Sequence, residues 1–229
     1  MSERANWSAQ LDTQLQVAAS RRMLPPDSAN VRALMHQSSE CELRERLAVI
    51  VRESAWFMAA LETVQSLGLP SWCIGAGAVR NLVWDKLHGF NQPSALPDID
   101  VAYFDSENLA SQRDEELQCR LTVAFPSVPW EVTNQAGVHQ WFASYFGQAV
   151  SPFRSLQEAI ASWPEFATAV GVTLLEDKTI EVIAPHGLED LFALVVRHNP
   201  TRASVSMYRN RLAQKRYAQR WPKVRVVSC

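Results

Sequence analysis

Apolar positions at Leu43, Leu47, Ile50, Phe57 and Leu61 recur at helical spacing and predict one long helix over residues 40–65. Ser39, with Glu42 three residues on, has the form of a capping box at its start. Gly68 and Pro70 end it. Residues 72–74 (Trp-Cys-Ile) form a short apolar run that predicts a strand, stopped at Gly75-Ala76-Gly77. A helix is expected over 78–88 with Gly89 as its C-terminal cap. Residues 98–104 alternate and predict a second strand, 130–133 a third. Between these, Asp105 opens a helix running to 124. Further on, helices are predicted over 137–146, from the Ser155/Glu158 capping box to Trp163-Pro164, over 187–197 and over 204–220. Two strands, 168–175 and 179–183, flank Glu176-Asp177-Lys178 as a hairpin. Residues 1–38 are polar and weakly patterned, punctuated by Pro25-Pro26-Asp27, and read as a short helix or loose arm. The pattern is α+β: a modest mixed sheet with helices around it, an N-terminal helical extension and a basic C-terminal helix. The expected organisation is a polar arm over 1–38 and a single domain over 39–229.

Composition narrows the class. The chain has 229 residues, 47% of them hydrophobic and 20% charged, which excludes a disordered or low-complexity chain. The longest apolar run, residues 55–61, is far short of a membrane span. The polar first ten residues show no secretory signal. Cysteines 41, 73, 119 and 229 make no C-x-x-C pair, so free thiols in a reducing cytoplasm are expected. Net charge is −2, but it is unevenly placed. Residues 197–229 carry nine Lys and Arg and no acid, and the rest of the chain carries 24 acids against 13 bases. Such an end suits nucleic acid or phosphate; the favoured reading is a basic helix packed on the chain's own acidic body, its charges solvated.

The candidate chemistry lies in two stretches, Cys73-Ile-Gly-Ala-Gly-Ala-Val-Arg80 and Leu96-Pro-Asp98-Ile-Asp100-Val101. Residues two apart on a strand share a face, so Asp98 and Asp100 project together while Ile99 and Val101 face the core. Two close carboxylates repel unless a cation joins them, and a hard divalent ion takes both through oxygen. Glu131, between Trp130 and Val132, joins them if its strand is the neighbour. Three such carboxylates suit a two-metal site that aligns a hydroxyl with a phosphorus atom. The strand, Gly-Ala-Gly, helix sequence brings small residues and helix N–H groups to where phosphate binds, and Arg80 follows one turn later.

These stretches resemble the nucleotidyltransferase superfamily of DNA polymerase beta, whose signature is a small-residue turn after a strand, an Asp-x-Asp strand and a third acid on a later strand. Gly75-Ala-Gly-Ala-Val-Arg-Asn81 is similar to the Gly-Gly-x-Val-Arg-Asp opening of tRNA CCA-adding enzymes and poly(A) polymerases. The pair of glycines there is Ala76-Gly77 here, with Gly75 one place early. A family of bacterial nucleotidyltransferase-like proteins shows the fuller resemblance, over about residues 70–222. It carries stretches similar to 75–85, 96–105, 130–135 with His139 and Trp141, 168–172, 184–191 and 215–222.

The resemblance implies a nucleotidyltransferase-like sheet, Mg²⁺ or Mn²⁺ as cofactor, and transfer of a nucleoside monophosphate from an NTP to a hydroxyl. Asp98 and Asp100 then hold metal, and Glu131 is a third ligand or the base. Gly75, Ala76 and Gly77 cradle phosphate, Arg80 neutralises it, and Asn134 contacts the nucleotide. The acceptor, whether small molecule, protein or RNA, is left open, and no membrane partner is expected. Each role has a plainer counterpart. Gly75 and Gly77 permit tight packing, Arg80 is a structural ion pair, Glu131 sits on a wet strand face, and Gln135 and His139 are edge residues. Arg211 and Lys215 on the basic helix are read as a solvated face rather than triphosphate contacts. The competing functions are a catalytically inactive nucleotide- or partner-binding module on the same fold and, less favoured, a nucleic-acid binder working through 197–229.

Overall fold

A computed structural model describes residues 28–228 of the chain; the expectation for residues 1–27 lies outside the described residues. Residues from Glu40 onward form one compact unit. It is an α+β fold with a five-stranded mixed sheet and flanking helices. Helix α1 (Ser28–Glu53) is followed directly by α2 (Ala55–Gln65). Strand β1 (Trp72–Gly75) leads into α3 (Ala76–His88), then β2 (Ile99–Tyr103), α4 (Ser111–Ala124), β3 (Trp130–Asn134), a 3₁₀ turn at Gln135–Gly137, α5 (Val138–Phe146) and α6 (Leu156–Ala161). A second 3₁₀ turn at Phe166–Thr168 precedes the hairpin of β4 (Gly171–Leu174) and β5 (Ile180–Ile183). The chain closes with α7 (Glu189–Phe192), β6 (Val195–Val196), α8 (Val205–Lys215), α9 (Tyr217–Arg220) and β7 (Arg225–Val226).

The sheet order is β3-β2-β1-β4-β5. β1 pairs antiparallel with β2 and β4, β4 antiparallel with β5, and β2 parallel with β3. Alternation gives the sheet two faces. Trp72, Ile74, Ile99, Val101, Tyr103, Trp130 and Val132 meet the buried sides of α2, α3 and α4 in the main core. Cys73 and Ala102 point the other way and are covered by Leu156 and Ile160 of α6. That second face is built small: a Cβ at Gly171 would stand 2.5 Å from the Cys73 sulfur. Small residues there leave room above the strands.

Several expected boundaries move. The 40–65 helix is two helices, broken at Ser54, whose extended backbone (ψ 97°) interrupts the ladder although its carbonyl still accepts the Met58 N–H at 2.9 Å. Ser39 lies inside α1, so the Ser39/Glu42 capping box does not start a helix. The helix expected from Asp105 begins only at Ser111. The Asp105 carboxylate instead accepts the Glu107 and Asn108 N–H groups at 2.9 and 3.2 Å, closing a turn that competes with the helix. The helix expected over 187–197 is one turn, α7, followed by β6. The basic helix is split by Arg216, in the left-handed region at φ 49°. The Ser155 cap holds, its hydroxyl accepting the Glu158 N–H at 3.1 Å. Among the described residues no helix is long and apolar enough to cross a membrane.

Candidate functional site

The parallel register of β2 and β3 sets Asp100 directly beside Glu131. Asp98, two residues back on the same side, completes the group, and all three line one cavity of about 300 Å³. The loop that delivers Asp98 is pinned from three directions. Asp85 accepts the Ser94 N–H and hydroxyl at 2.7 and 2.6 Å. Asn81 and Arg220 both donate to the Ala95 carbonyl, at 3.4 and 2.7 Å. Crowding has a cost at the middle carboxylate. Burial, then Asp98 and then Glu131, push the Asp100 carboxyl up to about 6, against the pull of Arg211 and Lys215.

Those two bases line the same cavity. They lie one turn apart on α8, at the i,i+4 spacing that puts side chains on one helix face. Arg211 is anchored: its Nε donates at 2.6 Å to Glu165, whose side chain is wholly buried. Glu165 also accepts the Tyr217 hydroxyl at 3.0 Å and the Thr168 hydroxyl at 2.8 Å. Burial and the neighbouring Arg211 lower the pKa of Lys215, while Asp98 and Asp100 work to raise it. The reading of Arg211 and Lys215 as a solvated face is therefore corrected. Both face the acids, and the i,i+4 spacing was the available signal. Thr133, Trp163, Pro164 and Thr168 also line the cavity; Thr133 and Thr168 fall in stretches that carry the family resemblance, whereas Trp163 and Pro164 carried no sequence signal for a site.

The glycine turn divides its labour. A Cβ at Gly75 would stand 2.6 Å from the Trp163 ring and 3.0 Å from the Val170 carbonyl, so Gly75 is small for packing. Gly75 does not line the acidic cavity; Ala76 and Gly77 do. Ala76 takes a left-handed backbone (φ 49°), held by its N–H on the Val170 carbonyl at 3.1 Å. A side chain in this region costs energy, and such residues cluster at functional sites. At Gly77 the nearest atom to an added Cβ is the Arg80 guanidinium, at 3.6 Å.

Arg80 is 2% exposed and committed internally. It donates to the Asn81 side chain at 2.7 and 3.2 Å and to the Tyr217 hydroxyl at 3.3 Å. Its guanidinium lies 5.0–5.6 Å from the rings of Trp84, Tyr217 and Trp221. It is absent from the lining of the acidic cavity and borders an adjoining basic one of about 460 Å³, shared with Lys215, Arg216 and Arg220. Asn134 is also occupied. Its oxygen accepts the Asp105 and Ala136 N–H groups, and its nitrogen donates to the Asp105 and Asn108 carbonyls. Neither side chain is placed as a nucleotide contact in the acidic cavity. The His139 ring bonds the Ala136 carbonyl at 2.9 Å and does not line the cavity, whereas Gln135 does.

Among the described residues no group of three or more His, Cys, Asp or Glu is arranged as a ready-made metal cage. The donor set nevertheless suits a hard divalent ion. Mg²⁺ binds through one or two carboxylates plus substrate phosphates, and the raised Asp100 pKa records burial first and then repulsion from Asp98 and Glu131, which such an ion would relieve.

A family described as nucleotidyltransferase matches residues 62–226. Among solved structures, one described as revealing a CCA-adding enzyme head domain superposes with a TM-score of 0.70 at 30% identity, covering 81% of this chain and 96% of that one. A CCA-adding enzyme with CTP gives 0.48 at 13% identity, covering 81% and 43%. A tRNA-processing enzyme in apo form gives 0.44 at 18%, covering 73% and 42%. The chain thus spans less than half the length of these last two proteins. A search of curated proteins gave no match.

Proposed function

The chain belongs to the nucleotidyltransferase family, and we propose that its acidic cavity moves a nucleoside monophosphate from an NTP to a hydroxyl, releasing pyrophosphate. The observation that carries this is one cavity lined by Asp98, Asp100 and Glu131 together with Arg211 and Lys215. An NTP offers both charges at once, its phosphates to the bases and its bound cation to the acids. The similarity to a structure described as a CCA-adding enzyme head domain supports an NTP as donor.

Asp98 and Asp100 would hold Mg²⁺ or Mn²⁺, which would neutralise the phosphates and polarise the phosphoryl oxygens. Lys215 sits where the acidic and basic cavities join, and Arg216 and Arg220 extend the positive wall. This wall receives the two outer phosphates. Glu131, the exposed member of the acids, takes the proton of the attacking hydroxyl. The hydroxyl oxygen forms a bond to the α-phosphorus. The bond from that phosphorus to its bridging oxygen breaks, and pyrophosphate leaves with the electron pair.

Asp100→Ala is expected to lower pyrophosphate release from NTP in the presence of Mg²⁺ and cell extract by a factor of at least about 10², with an unchanged circular dichroism spectrum. Equal rates in variant and wild type would refute the assignment. ATP binding seen by calorimetry without any release by wild type would leave the fold as a binding module.

A further inference from the structure

A third cavity, of about 260 Å³, adjoins the acidic one and shares Glu131, Thr133, Gln135, Trp163 and Pro164 with it. We propose that this cavity binds the acceptor, and that the acceptor is a small hydroxyl-bearing compound with an aromatic or otherwise apolar ring. The inference rests on the transfer reading above and names its missing substrate class.

The basic cavity shares Gly77, Asp98 and Lys215 with the acidic one and has no residue in common with the apolar one. The acidic cavity therefore has a basic flank on the Asp98 side and an apolar flank on the Glu131 side. In-line displacement at phosphorus needs the leaving and attacking oxygens on opposite sides. With the outer phosphates on the basic flank, the attacking hydroxyl comes from the apolar flank, past Glu131, the group assigned to take its proton.

The flank is walled by Phe142, Phe146, Phe153 and Trp141, with Met207 from α8. Trp141 and Phe146 stay 40% and 47% exposed although they border a cavity. A ring in the cavity would cover surface that the chain leaves wet. Glu131 and Arg202 are the charged residues of the lining. Arg202 is engaged on one side: its guanidinium lies 3.6 Å above the Phe153 ring and its Nη2 donates to the Ser151 carbonyl, while its Nη1 is buried with no hydrogen-bond partner among the described residues, a donor for one polar group of the acceptor. A polyanionic acceptor such as an RNA end would find a single cation there, beside the Glu131 carboxylate, whereas an apolar ring finds aromatic faces. The volume suits one or two rings, near the low end for small-molecule sites.

The probe is 2-naphthol, an apolar ring system with one hydroxyl, titrated by calorimetry into the full-length chain with and without saturating ATP and Mg²⁺. Saturable binding that persists with ATP present is expected. Trp141→Ala and Phe146→Ala, both at half-exposed positions, are each expected to weaken it at least fivefold and to leave ATP affinity within twofold. Displacement of 2-naphthol by ATP would give the cavity to the nucleobase and overturn the proposal. So would an absence of saturable binding, or variants that bind like wild type. Asp100→Ala is expected to bind 2-naphthol within twofold of wild type, so a failure of the transfer reading and a failure of the acceptor site register in different measurements.

Discussion

Asp100 carries the tension of the site in one carboxyl group. Its pKa is raised from 3.8 to about 6, by burial first and by Asp98 and Glu131 next. The folded protein thus binds a proton there that the unfolded chain releases, so stability falls as pH rises between about 4 and 6 and the full penalty stands above 6. Asp100→Asn is accordingly expected to stabilise the metal-free protein, by up to about 3 kcal/mol at pH 8. The gain should shrink toward zero below pH 4 in urea titrations with EDTA present, and a gain that ignored pH would rule out this origin. The two glycines separate in the same way. Gly75→Ala drives a methyl into the Trp163 ring and is expected to cost about 1–3 kcal/mol. Gly77→Ala meets nothing closer than 3.6 Å and removes a helical glycine, for a change between zero and about 1 kcal/mol of stabilisation; thermal melts of both variants decide it. In the sequence the two look alike. The difference comes from Trp163, which no local pattern around residue 75 announces. Asp98 and Asp100 were legible because strand alternation is a local rule, and the place of Glu131 followed only once β2 and β3 proved to be neighbours.

At the scale of elements, α8 was legible as a basic helix, and its face was not. The positive charge around it suggested water, yet Glu165, 46 residues earlier in the chain, draws Arg211 inward. A buried carboxylate with three partners is a strong clamp only while all its partners remain. Glu165→Leu leaves the inward-facing Arg211 without its carboxylate and is expected to cost about 3–5 kcal/mol. Arg211→Met leaves Glu165 charged and buried, with a similar cost. The double variant should recover most of that loss, because the two penalties are one interaction counted twice. A double-mutant cycle by denaturant unfolding reads this directly, and simple additivity would show that the pair does not act as a clamp. The other missed boundaries have the same character. Asp105 forms a turn rather than a helix start because Asn134, on the adjacent strand, grips the carbonyls of Asp105 and Asn108. Ser54 breaks a helix whose apolar spacing runs on undisturbed through the break.

Across the whole unit from Glu40, the loop carrying Asp98 and the main core are braced by the same short C-terminal segment. Trp221 and Tyr217 are 0% and 2% exposed and meet the Trp84 ring edge-on at 5.2 and 5.7 Å. The Trp221 indole N–H donates at 2.7 Å to Asp85, which also fixes the loop carrying Asp98. Tyr217 links Arg80 to Glu165 and so ties α3 to the mount of α8. β7 then pairs with β6, Arg225 opposite Val195. Every candidate acid and both bases of the acidic cavity precede residue 217, and of the phosphate wall Arg220 lies beyond it, so a site read from the acidic motifs alone would survive removal of residues 217–229. The packing argues the reverse. Truncation after Arg216 strips two large aromatic side chains from the core, each worth about 3–5 kcal/mol on deletion, against a total stability of about 5–15 kcal/mol for a protein of ordinary size. The truncated chain is expected to lose its cooperative thermal transition and its resistance to limited proteolysis, and with them all ATP binding. If it melted as wild type does and bound ATP with unchanged affinity, the segment would be an appendage, and the link from Trp221 through Asp85 to Asp98 would have no part in holding the site.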